Sequence, residues 1–515
     1  MSDTQTPRAD AKRRGMVITP IYRLDELRAL EVVTARGLPP GELMRRAATA
    51  AAQLTLELCG DRGGPICVLV GPGNNGGDAL VTAAILHRQG LLVRTCFLDN
   101  PERLHGEAAA ALREWNSLGI SGEPVGEKGL ERLFESSMVI DGLFGIGLSR
   151  PLDARAKQWI EQVNGWQQQS GLPVLALDIP SGLNADTGGT EGGAIKATHT
   201  ISFLGASVGL FTGDGPGLVG ARTIESLGSV DGGMASGVLI DPLLFSAHLK
   251  PRPSNSNKGL FGSLGILAGA RGMRGAALLA SRMALFGGTG RVFVNAPGGD
   301  APALDALHPE LMWRDSLDGI PLTAAVAGPG LGDADYVCDA LEALLRRRLP
   351  TILDADALNA LSRQPELKEL ARNIGAPLIV TPHPLEAARL LATKVEAVQG
   401  NRVEAAIQLA RALQAIVILK GCGTVVARPE GSWAINPTGN PGLATGGTGD
   451  VLAGLVGALL AQGWSAWTAA LGATWMHGAA ADSLVRQGVG PIGLTASELI
   501  PAIRDELNRL VRSGV

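Results

Sequence analysis

Residues 436–454, NPTGNPGLATGGTGDVLAG, crowd glycines at 439, 442, 446, 447 and 449 ahead of a carboxylate, Asp450. An apolar helix is expected to begin near Gly449. Free backbone N–H groups at such a helix start form an anion hole that suits a phosphate. A carboxylate in the first turn ordinarily caps the helix. Capping alone does not require so many glycines, so Asp450 reads as a catalytic base. Lys420-Gly421-Cys422-Gly423-Thr424 follows the apolar run Ile416–Leu419. A lysine at a strand end, followed by glycines, suits a nucleotide phosphate or adenosine. No GxxxxGK[ST] occurs, which disfavours P-loop chemistry. Cys422, with no His or Asn context in view, reads as a small filler and not a nucleophile. His383, between Pro382 and Pro384 at a strand end, reads as a ligand contact, although a lone histidine is more often structural. Asp354 and Asp356 in LDADALN (353–359) either position a ligand or cap the helix that follows.

The first half carries a second glycine loop, GPGNNGGD (71–78), after one apolar run and before a helical one. Gly71, Gly73 and Gly76 give G-x-G-x-x-G, and Asp99 ends the next strand; alone, this is a weak dinucleotide signal. Asn74, Asn75 and Asp78 are no part of that fingerprint. Two amides and a carboxylate in a phosphate loop point to direct ligand or ion contacts. Asp141 and Asp178 end two further strands, in VIDGLFGIGLSRPL (139–152) and LALDIPSGL (175–183). Ligands of open α/β sheets sit beyond the carboxyl ends of the strands. Asn75, Asp141, Asp178 and Ser181 are therefore expected to converge on one crevice. The bland alternative is that each Asp caps its own turn.

These loops need a scaffold, and the chain supplies one. Short apolar runs alternate with runs of helical period, the pattern of α/β architecture with mostly parallel sheets. Strands are expected at 66–70, 91–98, 138–140, 174–177 and 200–203, with helices at 77–89 and 107–118. LKPRPSNSN (249–257) breaks the rhythm and reads as a linker. Strands then resume at 264–268, 291–294, 324–327, 351–353, 378–380 and 416–419. A length of 515 residues exceeds one ordinary core, and the motifs divide it into two domains, 1–245 and 246–515. Apolar residues at 45% and charged ones at 18% give a globular balance. A net charge of −4 and only 2 Tyr supply neither a basic field nor a base-stacking platform, so nucleic acid is not expected as a partner. Cys59, Cys67, Cys96, Cys338 and Cys422 are scattered without a CxxC, against a disulfide framework or a zinc site. The polar start, MSDTQTPRADAKRRG, reads as a loose tail and not a signal peptide. The most apolar stretch, 451–460, is too short to span a bilayer. A cytoplasmic protein without membrane partners is expected.

GPGNNGGD, VIDGLFGIGLSRPL and DIPSGL (178–183) resemble the epimerase domain of the NAD(P)H-hydrate repair enzymes, over roughly residues 22–243. That family interconverts the R and S forms of a nicotinamide hydroxylated at C6. The resemblance implies that Asn74, Asn75, Gly76, Gly77 and Asp78 bind the substrate and that Asp178 acts at the ring as acid/base. Gly145, Ile146, Gly147, Leu148, Ser149, Arg150 and Pro151 would wrap the dinucleotide. A potassium ion on Asn75, Asp141 and Ser181 is implied as well. Family members often carry a Lys after the strand ending near Phe203, where this chain reads LGASVGL (204–210). If that Lys aids phosphate binding, its absence weakens the epimerase half.

From about 258 to 510 the chain resembles the dehydratase domain of the same repair system, of ribokinase-like α/β/α fold. The segments are NKGLFGSLGILAGARGMRGAALLASRMAL (257–285), AVAGPGLG (325–332), LDADALN, TPHPLEAARLL (381–391), KGCGT and GNPGLATGGTGDVLAG (439–454). The resemblance implies that Lys420, Gly421, Cys422, Gly423, Thr424 and Gly449 contact an adenine nucleotide. Ala276, Gly330, His383 and Asp450 would contact the hydrated dinucleotide. Bacterial members are similar in using ADP as phosphoryl donor and eukaryotic ones ATP, and Mg²⁺ is expected with either. Asp450 would take the C6 hydroxyl proton during phosphorylation, and loss of phosphate would restore NAD(P)H beside AMP. The expected partners are NADHX or NADPHX, the nucleotide and further copies of the chain. The rivals are a small-molecule kinase of the same fold, a first half that binds nucleotide without turnover, and, least favoured, a dehydrogenase.

Overall fold

The sequence ICVLV, buried throughout, forms the strand Ile66–Val70, and runs of this kind build two sheets in the computed structural model. Residues 18–60, 62–120, 130, 132–148, 150–190, 192–230, 232–297 and 304–514 are described. The first sheet has the order Val93–Phe97, Ile66–Val70, Met138–Gly142, Val174–Leu177, His199–Phe203, Ala221–Glu225, with every neighbour parallel. A parallel sheet needs cover on both faces. Helices Glu42–Cys59, Asn74–Arg88 and Gly106–Ser117 cover one face through small and apolar residues such as Ala51, Leu80 and Trp115. Ala154–Ser170 covers the other with Trp159, Val163 and Trp166. Strand order reverses between Ile66–Val70 and Met138–Gly142, so the crevice expected of such sheets opens where their loops diverge.

The second sheet has twelve strands. Its parallel core runs Met312–Trp313, Arg291–Asn295, Ser263–Leu267, Ala324–Ala327, Thr351–Leu353, Leu378–Val380 and Ile416–Leu419. Val425–Ala427 and Trp433–Ile435 follow in antiparallel pairing. One face is packed by helices Arg274–Phe286, Thr448–Ala461, Ala466–Arg486 and Ala496–Ser513. The other carries Asp335–Arg346, Ala355–Arg363, Pro365–Arg372, Pro384–Leu390 and Arg402–Leu413. This is an α/β/α layering. The helix Thr448–Ala461 is buried nearly end to end, and a Cβ on Gly454 would lie 2.2 Å from the Ala280 carbonyl oxygen. That glycine serves helix packing, not a loop.

The last three strands of this sheet come from the first half. Gly237–Leu239 pairs parallel with Trp433–Ile435, Pro20–Tyr22 pairs antiparallel with Gly237–Leu239, and Ala206–Ser207 closes the edge. The halves thus share backbone hydrogen bonds, which the division into separate domains did not anticipate. Segments of two or three residues carry no periodicity to read. Residues 249–257, expected as a linker, contain neither helix nor strand. No helix among the described residues is long and apolar enough to cross a membrane.

Two candidate active sites

At the first sheet's switch point, the turn after Ile66–Val70 lies against the turn after Met138–Gly142. The approach is so close that a Cβ on Gly71 would sit 1.7 Å from the Leu143 carbonyl oxygen. The two turns border a cavity of about 500 Å³. Asn74, Asn75, Asp78, Gly145, Ile146, Gly147, Leu148, Arg150 and Asp178 line it, together with Arg28, Glu31, Glu107 and Leu204. Gly76 and Gly77 are buried behind this lining, where a Cβ would meet the Gly71 carbonyl and the Met44 side chain. Pro151 is exposed beyond Arg150, and Ser149 lies outside the described residues. Two arginines at the rim supply positive charge although LGASVGL has no Lys.

Asp178 adopts a left-handed backbone (φ 65°), unusual for a residue with a side chain. Its Oδ2 accepts from the Ile146 N–H at 3.0 Å. Burial pushes its carboxyl up to about 6, against the backbone donors Ile146 and Phe203 and with a contribution from Glu31. Burial also holds Asp78 well above the ordinary carboxylate range, helped by the charges of Asp178, Glu31 and Glu107. Asp141 is fully buried. It accepts from the Ser181 hydroxyl at 2.6 Å, the Ser181 N–H at 2.8 Å and the Leu143 N–H at 3.2 Å. These donors only partly offset burial, which pushes it up to about 6. It therefore ties two loops together instead of capping a helix.

Buried Asn75 has neither side-chain atom hydrogen-bonded. Orphaned buried amides are costly and ask for a partner. The residue flanks Gly145, where a Cβ would lie 3.4 Å from the Asn75 Cγ and 2.9 Å from the Asp178 Oδ2. The unpartnered Asn75 amide oxygen, the buried Asp141 carboxylate and the Ser181 hydroxyl bonded to it are oxygen donors with one formal charge between them. Such a set fits a monovalent cation.

In the second half, three strand ends and one helix start converge. The Lys420 ammonium pairs with Asp354 at 2.8 Å, and the Thr381 hydroxyl donates to the same Asp354 oxygen at 2.7 Å. Asp354 begins the helix Ala355–Arg363 without capping it, and Asp356 accepts from the Gly332 N–H at 2.8 Å. Both therefore shape the site. Burial alone would lower the Lys420 pKa, but the charges of Asp354 and Glu386 raise it overall, so it stays a cation. A Cβ on Gly449 would lie 3.4 Å from the Lys420 Nζ. The ammonium thus stands beside the free N–H groups that open the helix Thr448–Ala461. Gly447 begins that helix in a left-handed conformation (φ 92°), and Asp450 provides no side-chain cap. Burial first, then Asp354, push the Asp450 carboxyl up to about 6 despite Lys420.

Gly330 (φ 54°) packs on Ala276, whose Cβ would be 2.9 Å from one added at Gly330. One turn further on, Leu279 packs against Gly447, so the helix Arg274–Phe286 touches both Gly330 and the glycine loop ahead of Asp450. His383 is different. It caps the helix Pro384–Leu390 through its Nδ1, with its Nε2 3.2 Å from Glu386 and its side chain 45% exposed. It stands next to Lys420, whose N–H donates to the Pro382 carbonyl at 2.9 Å. Histidine here has a structural task whatever else it binds. Thr424 closes the KGCGT turn by donating to the Gly421 carbonyl at 3.0 Å.

Two supporting groups carry no signal in the sequence. Buried His477 bonds to the Thr448 carbonyl through Nε2 at 3.0 Å, and burial pushes its pKa down to about 4. It is therefore a neutral donor that fixes the helix start. Asp482 accepts from the Gly439 N–H and the Asn440 amide, each at 2.9 Å, and steadies the glycine loop. Both lie on the apolar helix Ala466–Arg486, where nothing in the local pattern distinguishes them.

Both halves of the chain are similar to known proteins. Residues 264–504 match a family model described as NAD(P)H-hydrate dehydratase, and residues 40–209 one described as the YjeF-related protein N-terminus. The bifunctional NAD(P)H-hydrate repair enzyme Nnr of Coxiella burnetii is 35% identical over 95% of this chain and 100% of its own. That of Escherichia coli is 35% identical over 95% of this chain and 94% of its own. A Bacillus subtilis ADP/ATP-dependent NAD(P)H-hydrate dehydratase, crystallised with ATP and Mg²⁺, aligns at 32% identity and a TM-score of 0.48, covering 53% of this chain and 98% of that one. The chain belongs to the family of bifunctional NAD(P)H-hydrate repair enzymes.

Proposed function

We propose that the first half interconverts R- and S-NAD(P)HX and that the second uses ADP, or ATP, to dehydrate the S form. In the first cavity Asp178 is the acid/base at the hydroxylated ring carbon. Its carboxyl near 6 exchanges protons readily at neutral pH. Asn75, Asp141 and Ser181 would hold a potassium ion, whose charge would keep Asp141 ionised. Arg28 and Arg150 serve the dinucleotide phosphates in place of the missing Lys.

In the second cleft Lys420 and the N–H groups of the opening helix turn hold the nucleotide phosphates, with Mg²⁺ accompanying them. Asp450 takes the C6 hydroxyl proton as that oxygen attacks the terminal phosphorus, and the bond from phosphorus to the departing AMP (or ADP) breaks. Phosphate then leaves C6, a proton leaves the neighbouring ring carbon, and the dihydronicotinamide double bond is restored. Placement and charge carry such a transfer. The observation behind this reading is a carboxylate that is raised, uncapped and poised beside a cation at a helix start.

The test supplies mixed R- and S-NADHX with Mg²⁺, K⁺ and ADP or ATP, and follows dihydronicotinamide absorbance. Complete recovery is expected. A stable phosphorylated product would instead identify a small-molecule kinase.

A further inference from the structure

Arg402 opens the helix Arg402–Leu413 and is only 3% exposed. Its guanidinium gives one N–H to the Gln399 side chain at 2.6 Å and others to the carbonyls of Leu419 and Lys420 at 3.1 Å each. Its Nε donates to the Thr212 hydroxyl at 3.1 Å. All four acceptors are neutral, and among the described residues no carboxylate forms an ion pair with it. Burial lowers its pKa to about 10, which still leaves it charged at neutral pH. A buried charge without a counter-ion is expensive. A Cβ on Gly421 would lie 2.7 Å from this guanidinium, so the cation sits directly beneath the turn Lys420–Thr424.

Thr212 belongs to the first half and is 1% exposed. Its hydroxyl lies 3.2 Å from the Cys422 carbonyl and 3.4 Å from that of Gly423. With one proton it donates to this pair while accepting from Arg402. Gly423 (φ 61°) is pressed onto the same segment, since a Cβ there would fall 1.9 Å from the Phe211 carbonyl oxygen. The turn read as the nucleotide site is thus moulded on one side by Arg402 and on the other by residues 211–212. A bound polyanion would supply the counter-charge that Arg402 lacks.

We infer that Arg402 and Thr212 are positioning residues for the nucleotide turn, so that the epimerase half helps set the nucleotide affinity of the dehydratase half. The inference rests on the proposed role of Lys420–Thr424. Its test is equilibrium binding of ADP to the full chain, with steady-state kinetics on S-NADHX, for wild type, Thr212→Val and Thr212→Ser. Loss of the bond accepted from Arg402 and of the one donated to the Cys422 and Gly423 carbonyls predicts about a fivefold to tenfold weaker ADP affinity and higher nucleotide KM in Thr212→Val. The hydrate KM, kcat and the nucleotide-free rate of R/S exchange should stay within about twofold, and Thr212→Ser should restore affinity. Unchanged ADP affinity in Thr212→Val overturns the inference, as does an equal rise in both KM values, which would mean general loosening. A wild-type chain that binds no adenine nucleotide overturns the inference together with the function assigned to the turn. Arg402→Gln provides a second reading in which ADP affinity falls further than in Thr212→Val.

Discussion

The first cavity gathers carboxylates: Glu31, Asp78, Glu107 and Asp178 face it, and Asp141 lies beneath. The second cleft interleaves them with a cation, Lys420 standing between Asp354 and the helix that carries Asp450. Both sites raise a carboxyl to about 6 by burial, yet they answer different electrostatic problems. The second must receive a polyanion, and it has an ammonium and free N–H groups in place before the ligand arrives. The first keeps its cations, Arg28 and Arg150, at the rim and surrounds the ring position with acids, with Asp141 only partly offset by its donors and the Asn75 amide left without a partner. Equal carboxyl pKa values therefore do not imply equal roles. The neighbouring charges decide the role.

The largest break in this contrast should come from Asp450→Asn. It is expected to lower dehydration kcat by about a thousandfold, with R/S exchange unaffected, as read by absorbance and chiral chromatography on one preparation. Asp178→Asn should do the reverse, slowing R/S exchange by about a hundredfold while S-NADHX dehydration persists. Replacing K⁺ by a bulky organic cation should slow exchange several-fold and lower the thermal midpoint, and leave dehydration of the S form unchanged. An equal loss at both sites would remove the distinction between them.

Acidity gives the finest discrimination. Asp450 as a base predicts that dehydration kcat falls about tenfold per pH unit below its carboxyl at about 6, because protonation removes the acceptor. Stability should move the opposite way. Asp141 binds its proton more tightly in the folded chain than in the unfolded one. Its contribution is present below pH 3.8 and is lost as pH rises toward about 6, on the order of 3 kcal/mol for this fully buried group. Added K⁺ should flatten that slope in a melting series from pH 4 to 7, and a slope indifferent to K⁺ would detach Asp141 from the cation.

Much of this was legible in the sequence, for a physical reason. Strands such as Val174–Leu177, Ala324–Ala327 and Leu378–Val380 fall where expected, since buried parallel strands are uninterrupted apolar runs. Site residues at strand ends, such as Lys420 and Asp178, are marked by the apolar run before them and the glycine or proline after. Residues defined by distant partners were not legible. Arg402 meets Thr212 across 190 positions, and Gly237–Leu239 meets Trp433–Ile435 only in three dimensions. Asp354 left capping and ligand positioning equally open, and only its pairing with Lys420 decided between them.

If two separate sites act in sequence on one substrate pool, defects in the two sites should complement each other. Mixing the Asp178→Asn and Asp450→Asn chains tests this directly, with R- and S-NADHX, ADP, Mg²⁺ and K⁺ present and dihydronicotinamide absorbance recorded. Alone, the first variant should stop after the S fraction and the second should recover almost nothing; together they should restore complete recovery. A mixture that recovers no more than the Asp178→Asn chain alone would contradict such action in sequence.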